Sequence, residues 1–217
     1  LDELDGVEGH DPRDRAASLY ERRPLAARSL ADGATVAAHG YFYCRELGGA
    51  RRILGGDYRR DRLERSPSSQ WYLAYGSNLH TARLLKRFGH DRLDPAEAGY
   101  LDGYALRFNK RADGGGVYAN LVFQGCGHRC PIVAYRVSAS DLRRLDYYEG
   151  EPAHYVRLGL PFRRADGDWA LGHAYLAAPE RLTADQAPDP AYLRHLRAGY
   201  REHGFDETPL DAALPGP

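Results

Sequence analysis

The sequence predicts an α+β protein: a mixed, mostly antiparallel β-sheet or small β-barrel with a few flanking helices. Short apolar and aromatic runs recur between turn residues from Trp71 to Leu176, the pattern of strands rather than long helices. Helical periodicity is confined to a few segments. Apolar residues make up 43% of the 217 residues, enough to build a core.

Taken in order, Trp71-Tyr72-Leu73-Ala74-Tyr75 stops at Gly76 and reads as a buried strand. From Asn78 to Phe88, Leu79, Ala82, Leu84, Leu85 and Phe88 share a helical face, with Ser77 or Asn78 as the cap. Gly99 to Asn109 reads as one strand, with Leu101, Ala105 and Phe108 partly buried. Residues 112–116 form a glycine-rich loop. Val117–Phe123 and Pro131–Val137 are strands, and a short helix over Ser140–Leu145 leads into Glu149-Gly150. Tyr155–Pro161 and Trp169–Leu176 add two strands. Pro190–His203 is helical, with Tyr192, Leu193, Leu196 and Tyr200 on one stripe.

An internal repeat organises the chain. L-x-x-L-D-x-x-E-G occurs at Leu1–Gly9 and again at Leu142–Gly150. Tyr20-Glu21-Arg22 then matches Tyr155-Val156-Arg157, and His39-Gly40-Tyr41 matches His173-Ala174-Tyr175. Only the second copy has a long preface. Residues 1–65 are therefore expected to be a partial repeat without its front half, and 71–210 a complete domain. Ser66–Gln70 has the composition of a linker. The chain contains no methionine, so Leu1 is not expected to be where the gene product begins.

Basic and acidic residues balance at 30 each, giving no electrostatic case for nucleic acid or an anionic membrane as partner. There is no apolar run long enough to span a bilayer as a helix and no signal-peptide pattern. A cytoplasmic protein is expected. Three cysteines are too few for a disulfide scaffold. Cys126-Gly127-His128-Arg129-Cys130 falls short of the usual four zinc ligands. A reducible disulfide is conceivable there, but a strand-connecting turn is the favoured reading. No dinucleotide fingerprint, hydrolase elbow or zinc helix is present, so neither cofactor nor metal is expected.

Two places carry chemistry. In Tyr75-Gly76-Ser77-Asn78-Leu79, a glycine turn between strand and helix exposes consecutive N–H groups that can bind an anion; a simple capped turn is the alternative. Glu149, between Tyr148 and Gly150, is a candidate general base if its aromatic neighbours desolvate it, or else a structural helix-end carboxylate.

The ordered set Tyr75–Leu79, Phe108-Asn109 with Gly116 and Ala119-Asn120-Leu121, then Leu145–Gly150 with Tyr155, resembles the γ-glutamylcyclotransferase family. Pro188–Tyr192 followed by Gly199–Gly204 resembles that family's closing helix. The resemblance implies a barrel-like α+β fold and a small-molecule γ-glutamyl substrate. It implies Glu149 as catalytic acid/base. Tyr72, Leu73, Ala74, Tyr75, Gly76, Ser77 and Asn78 would cradle the γ-glutamyl group, with Tyr155 and Tyr192 as further substrate contacts. The product would be 5-oxoproline plus a free amine. Residues 1–58 resemble the ending of the AIG2-like, γ-glutamylamine cyclotransferase branch, with Glu8 as the counterpart of Glu149. Lacking its own glycine turn, this copy is expected to be inactive or structural, with self-association through it as one role. Alternatives for the whole are a non-catalytic γ-glutamyl-binding or interaction module, or removal of a γ-glutamyl protecting group from a natural product.

Overall fold

A computed structural model describes residues 1–66 and 69–216, so Pro67 and Ser68 of the expected linker lie outside the described residues. The chain divides into two compact units. One comprises Leu1–Ser29 and Gly33–Leu54; the other comprises Leu30–Asp32 and the residues from Gly55 onward.

The first unit holds α1 (Asp2–Glu8) and a hairpin of β1 (Tyr20–Arg28) and β2 (Thr35–Tyr43). Gly9 ends α1 at φ 61°, a left-handed conformation that costs a glycine little. Asp5 is buried. Arg22 Nη1 lies 2.8 Å from its Oδ2, and the Tyr41 hydroxyl donates to its Oδ1 at 2.7 Å. Arg22 and Tyr41 are direct partners across the β1–β2 ladder.

The second unit opens with α2 (Tyr58–Glu64). Asp57 Oδ1 accepts from the N–H groups of Arg59 and Arg60, a helix cap. Its Oδ2 accepts from the N–H of Gly159 at 2.7 Å, which pins the helix to β8 (Tyr155–Arg164). A Cβ on Gly159 would lie 2.5 Å from the Arg60 nitrogen, so only glycine permits this approach. By its contacts α2 therefore belongs with the second unit.

A closed five-stranded barrel forms the centre of that unit, in the order β3 (Gln70–Ala74), β7 (Arg129–Val137), β4 (Glu97–Asp102), β8 and β9 (Trp169–Ala177). β9 closes it by pairing parallel with β3 at Tyr72 and His173; the other pairings are antiparallel. Closure removes the free edges that a sheet would otherwise expose. Leu73, Ala74, Leu101, Ile132 and Phe162 are fully buried in the core. β5 (Tyr104–Arg111) and β6 (Val117–Phe123) form a separate two-stranded sheet.

The expected single strand over Gly99–Asn109 is thus two strands in different sheets. Gly103 turns the corner at φ 83°, and a Cβ there would lie 2.6 Å from the Phe123 ring. The apolar run continues through the corner, so its pattern conceals the break. The expected Asn78–Phe88 helix also differs. Ser77–Leu79 form a 3₁₀ turn, and α3 (Thr81–Phe88) begins only after His80. Neither Ser77 nor Asn78 caps α3, because Asn78 directs its amide inward instead. α4 runs over Ala139–Glu149, longer than expected, with a Ser138/Asp141 capping box. α5 (Pro190–Glu202) and α6 (Thr208–Ala212) complete the unit.

Among the described residues no helix is long and apolar enough to cross a membrane, and no cluster of potential metal ligands occurs. All three cysteines are free; Cys126 is exposed in the β6–β7 turn and Cys130 is buried in β7.

One polar network ties the barrel together. Asp146 of α4 binds Arg157 Nε at 2.7 Å and accepts from the Tyr175 hydroxyl at 2.7 Å. Arg157 continues to His173 Nδ1 at 3.2 Å, and His173 Nε2 lies 2.6 Å from Gln70 Oε1. Nδ1 therefore accepts from the guanidinium and Nε2–H donates to the amide. His173 is fully buried. Burial, then the neighbouring Arg157 charge, lowers its pKa from 6.5 to about 3. The unfolded chain thus takes up a proton that the folded chain refuses. His173 favours folding fully above pH 6.5, and that contribution is lost as pH falls from 6.5 toward about 3. Urea unfolding at pH 7 and pH 4.5 should show a smaller loss of stability for His173→Gln than for wild type. Equal losses would contradict the neutral, buried imidazole.

Candidate active site

The site lies where β3 runs into the 3₁₀ turn. Tyr72, Tyr75, Gly76, Ser77, Asn78, Glu149, Tyr155 and Tyr192 all line a narrow recess of about 30 Å³, little more than a water molecule fills. Ser77, Glu149, Tyr155 and Tyr192 also face an outer cavity of about 410 Å³. Glu149 therefore stands at the junction of the two. Leu73 and Ala74 line neither; their side chains are in the barrel core, so only their backbone is near the site.

α4 delivers Glu149 as its last residue. Gly150 ends the helix at φ 63°, with N–H contacts back to Asp146 and Tyr147. A Cβ at Gly150 would meet the His154 ring at 2.9 Å, so glycine is required twice over. Asn78 Nδ2 donates to Glu149 Oε1 at 3.1 Å and to the Tyr72 hydroxyl at 2.7 Å. Arg87 Nη1 makes a close ion pair with the same Oε1. Tyr147 and Tyr148 are themselves exposed but line the outer cavity beside Glu149, whose side chain is 14% exposed, and Arg87 lies over the Tyr148 ring at 5.7 Å. The groups that bond the carboxylate are Asn78 and Arg87.

Tyrosines wall the recess. The Tyr155 hydroxyl donates to the Ala119 carbonyl at 2.8 Å, the Ala119 N–H donates to the Tyr192 hydroxyl at 3.2 Å, and Tyr75 donates to the Tyr175 carbonyl. Burial pushes the Tyr192 pKa up to about 12, and it raises those of Tyr72 and Tyr155 further, so all three stay neutral donors. Asn78 Oδ1 is buried and has no hydrogen-bond partner among the described residues. A buried, unsatisfied amide oxygen costs about 1–3 kcal/mol unless a ligand fills it.

Gly76 permits the close packing. A Cβ on it would lie 3.3 Å from the Ala119 Cβ and 3.5 Å from the Tyr192 hydroxyl.

The outer cavity is lined by residues that sequence reasoning missed: Arg83, Arg87, Lys110, Asp113, Tyr118 and His154. Arg83 and Arg87 sit one turn apart on α3, so helical spacing on a helix leaving the glycine turn was the available signal. Nothing local marks Lys110 or His154; the fold brings them together from β5 and the α4–β8 loop.

These features define an enzyme-like site: a carboxylate between a glycine-turn recess and a polar cavity, in a small antiparallel barrel. The model of the family described as "Gamma-glutamyl cyclotransferase, AIG2-like" matches residues 72–194. The chain belongs to this family and is an enzyme of the γ-glutamylcyclotransferase type. No curated protein matches the chain. Among solved structures, one described as "Gamma-glutamyl cyclotransferase" is similar at 24% identity and TM-score 0.59, covering 69% of this chain and 89% of that one. An uncharacterized protein from Homo sapiens is similar at 25% identity and TM-score 0.57, covering 69% and 90%. YkqA from Bacillus subtilis is similar over 100% of this chain and 76% of its own, at 22% identity and TM-score 0.71. The likenesses below 25% identity concern the fold.

The glycine turn depends on α5. A Cβ on Gly199 would lie 2.7 Å from the Leu79 carbonyl carbon and 2.8 Å from the His80 nitrogen, both backbone atoms. Gly199→Ala should therefore destabilise the protein by about 1–3 kcal/mol while shifting the turn. Thermal unfolding checks it, and an unchanged melting temperature would mean the helix and turn separate freely.

Proposed function

We propose that the second unit cleaves a γ-glutamyl amide by intramolecular cyclisation, releasing 5-oxoproline and a free amine. The observation that carries this reading is Glu149. Its carboxylate is held by Asn78 and Arg87 at the mouth of the recess that the Tyr75–Leu79 turn encloses.

In this scheme the glutamyl head enters from the outer cavity and seats against the turn. The recess by itself is too small to hold it, so the γ-carbonyl lies at the junction, beside Glu149. Glu149 takes a proton from the α-ammonium group. The freed amine attacks the γ-carbonyl carbon, and N–H groups of the 75–79 turn bind negative charge on the substrate. Asn78 Oδ1, without a partner of its own, is an acceptor for the substrate's amine. The bond from the γ-carbon to the departing nitrogen breaks as Glu149 returns its proton to that nitrogen. The ring nitrogen sheds its second proton, which ends on the departing amine as its ammonium form. Because nucleophile and electrophile share one molecule, holding a reactive conformer supplies much of the rate. Tyr72, Tyr155 and Tyr192 shape the recess and exclude water. The bond changes involve only substrate atoms and transferred protons, so no cofactor enters.

We further infer that the first unit is the back half of a second copy of this domain. Asp5, Arg22 and Tyr41 make the same contacts as Asp146, Arg157 and Tyr175. The ladder partners correspond, Arg22 with Tyr41 and Arg157 with Tyr175. Gly9 and Gly150 end their helices at φ 61° and 63°. The YkqA likeness, which spans both units, supports the same reading at the level of fold. Glu8 then corresponds to Glu149, but in a unit with no glycine turn of the 75–79 kind.

A panel of γ-glutamyl amides, with 5-oxoproline measured by mass spectrometry, tests both readings. Glu149→Gln should lower turnover by about 10²–10⁴-fold with binding retained, whereas Glu8→Gln should leave turnover unchanged. Near-normal turnover in Glu149→Gln would overturn the assigned role, and a loss in Glu8→Gln would overturn the inactive first copy.

A further inference from the structure

Corresponding positions of the two units differ sharply in what covers them. Leu142 and Leu145 of α4 are buried in the core, whereas their counterparts in the L-x-x-L-D-x-x-E-G repeat, Leu1 and Leu4, are 61% and 53% exposed. The hairpins differ in the same way. Leu176 and Ala177 at the end of β9 are buried; Phe42 and Tyr43, at the matching ladder positions of β2, are exposed. His173 is buried and its counterpart His39 is exposed. Val7 is exposed too, but so is its counterpart Tyr148, so Val7 lies outside this face.

In the second unit the cover comes from one stretch of chain. α3 packs on α4, with Leu84 and Phe88 fully buried. β3 pairs parallel with β9, Tyr72 opposite His173, and Gln70 bonds the His173 ring. β3, the glycine turn and α3 all lie within Gln70–Phe88. In the first unit β1 and β2 form a two-stranded sheet, and among the described residues no third strand pairs with either. A free strand edge beside uncovered leucines is a template for an added strand.

We propose that the open face of the first unit docks a strand–glycine turn–helix segment of the kind that Gln70–Phe88 forms in the second unit. The incoming strand lies parallel to β2 with its tyrosine opposite His39, and its leading glutamine gives the His39 ring a partner. The incoming helix covers Leu1 and Leu4. The Gln70–Phe88 segment also carries Asn78 and Arg87, the two groups that bond Glu149, so docking brings their counterparts to Glu8. This rests on the reading of the first unit as the back half of a second copy, and not on the reaction.

The probe is a fluorescent peptide of the sequence Gln70–Gly89, added to the full chain. Anisotropy reads binding, and amide hydrogen exchange reads the place. The peptide should bind and slow exchange along β2 and α1. Leu4→Asp should weaken binding by at least about tenfold, the worth of one buried leucine side chain, and Val7→Asp should leave it unchanged. Absent binding, equal effects of the two substitutions, or slowed exchange only in the second unit would overturn the proposal. So would a dimer of the full chain that Leu4→Asp dissociates, because the face would then belong to a second copy. Exchange measured without peptide separates docking from the reading beneath it. If α1 and the hairpin are protected but no peptide binds, docking alone fails. If they are unprotected with and without peptide, the back-half reading fails as well.

Discussion

The site depends on one ion pair three residues away from its central carboxylate. Asp146, on the last turn of α4, is held by Arg157 from β8 and by the Tyr175 hydroxyl from β9. That contact fixes the angle at which α4 meets the barrel. Glu149 lies three residues further along the same helix, so it inherits its position from Asp146. Breaking a buried pair by removing one partner costs about 3–5 kcal/mol, and here the displacement would be felt at the carboxylate as well as in stability. Arg157 extends the connection through His173 to Gln70, at the start of β3. β3 in turn carries the glycine turn. The two halves of the site, the turn and the carboxylate, are therefore set by one chain of polar contacts through the closure of the barrel.

The recess and the cavity outside it differ in polarity. Tyrosines and backbone atoms wall the recess, Glu149 brings one carboxylate to it, and the amide oxygen of Asn78 has no partner among the described residues. Outside, charge is abundant: two arginines from α3, a lysine from β5, and an Asp–His–Arg cluster. The two spaces are joined by shared contacts: Arg83 Nε donates to the Ser77 hydroxyl of the turn at 3.1 Å, and Arg87 pairs with Glu149.

Much of this was legible in the sequence because its signals are local. The buried strand before Gly76, the L-D-x-x-E-G helix end and the stripe on Pro190–His203 each follow from periodicity or a cap, and the structure has an element at each place. Tyr72, Tyr75, Gly76, Ser77, Asn78, Glu149, Tyr155 and Tyr192 do converge on one recess. What was not legible depended on contacts distant in sequence. Gly103 breaks an apolar run because Phe123 packs against it, which no pattern over residues 99–109 reveals. Asn78 has the chemistry of a cap, yet it points inward because Tyr72 and Glu149 offer partners there.

The same kind of polar contact occurs in both units. Asp5 is held by Arg22 and Tyr41, as Asp146 is held by Arg157 and Tyr175, and a left-handed glycine ends each helix. A helix–hairpin of this kind can form wherever the aspartate is buried between the arginine and the tyrosine. It needs no turn at a glycine, no tyrosine-walled recess and no cationic vestibule. In the second unit, β3 and its turn stand opposite the carboxylate at the end of the helix. The strand that completes the barrel leads into the turn that places Asn78 and α3 beside Glu149.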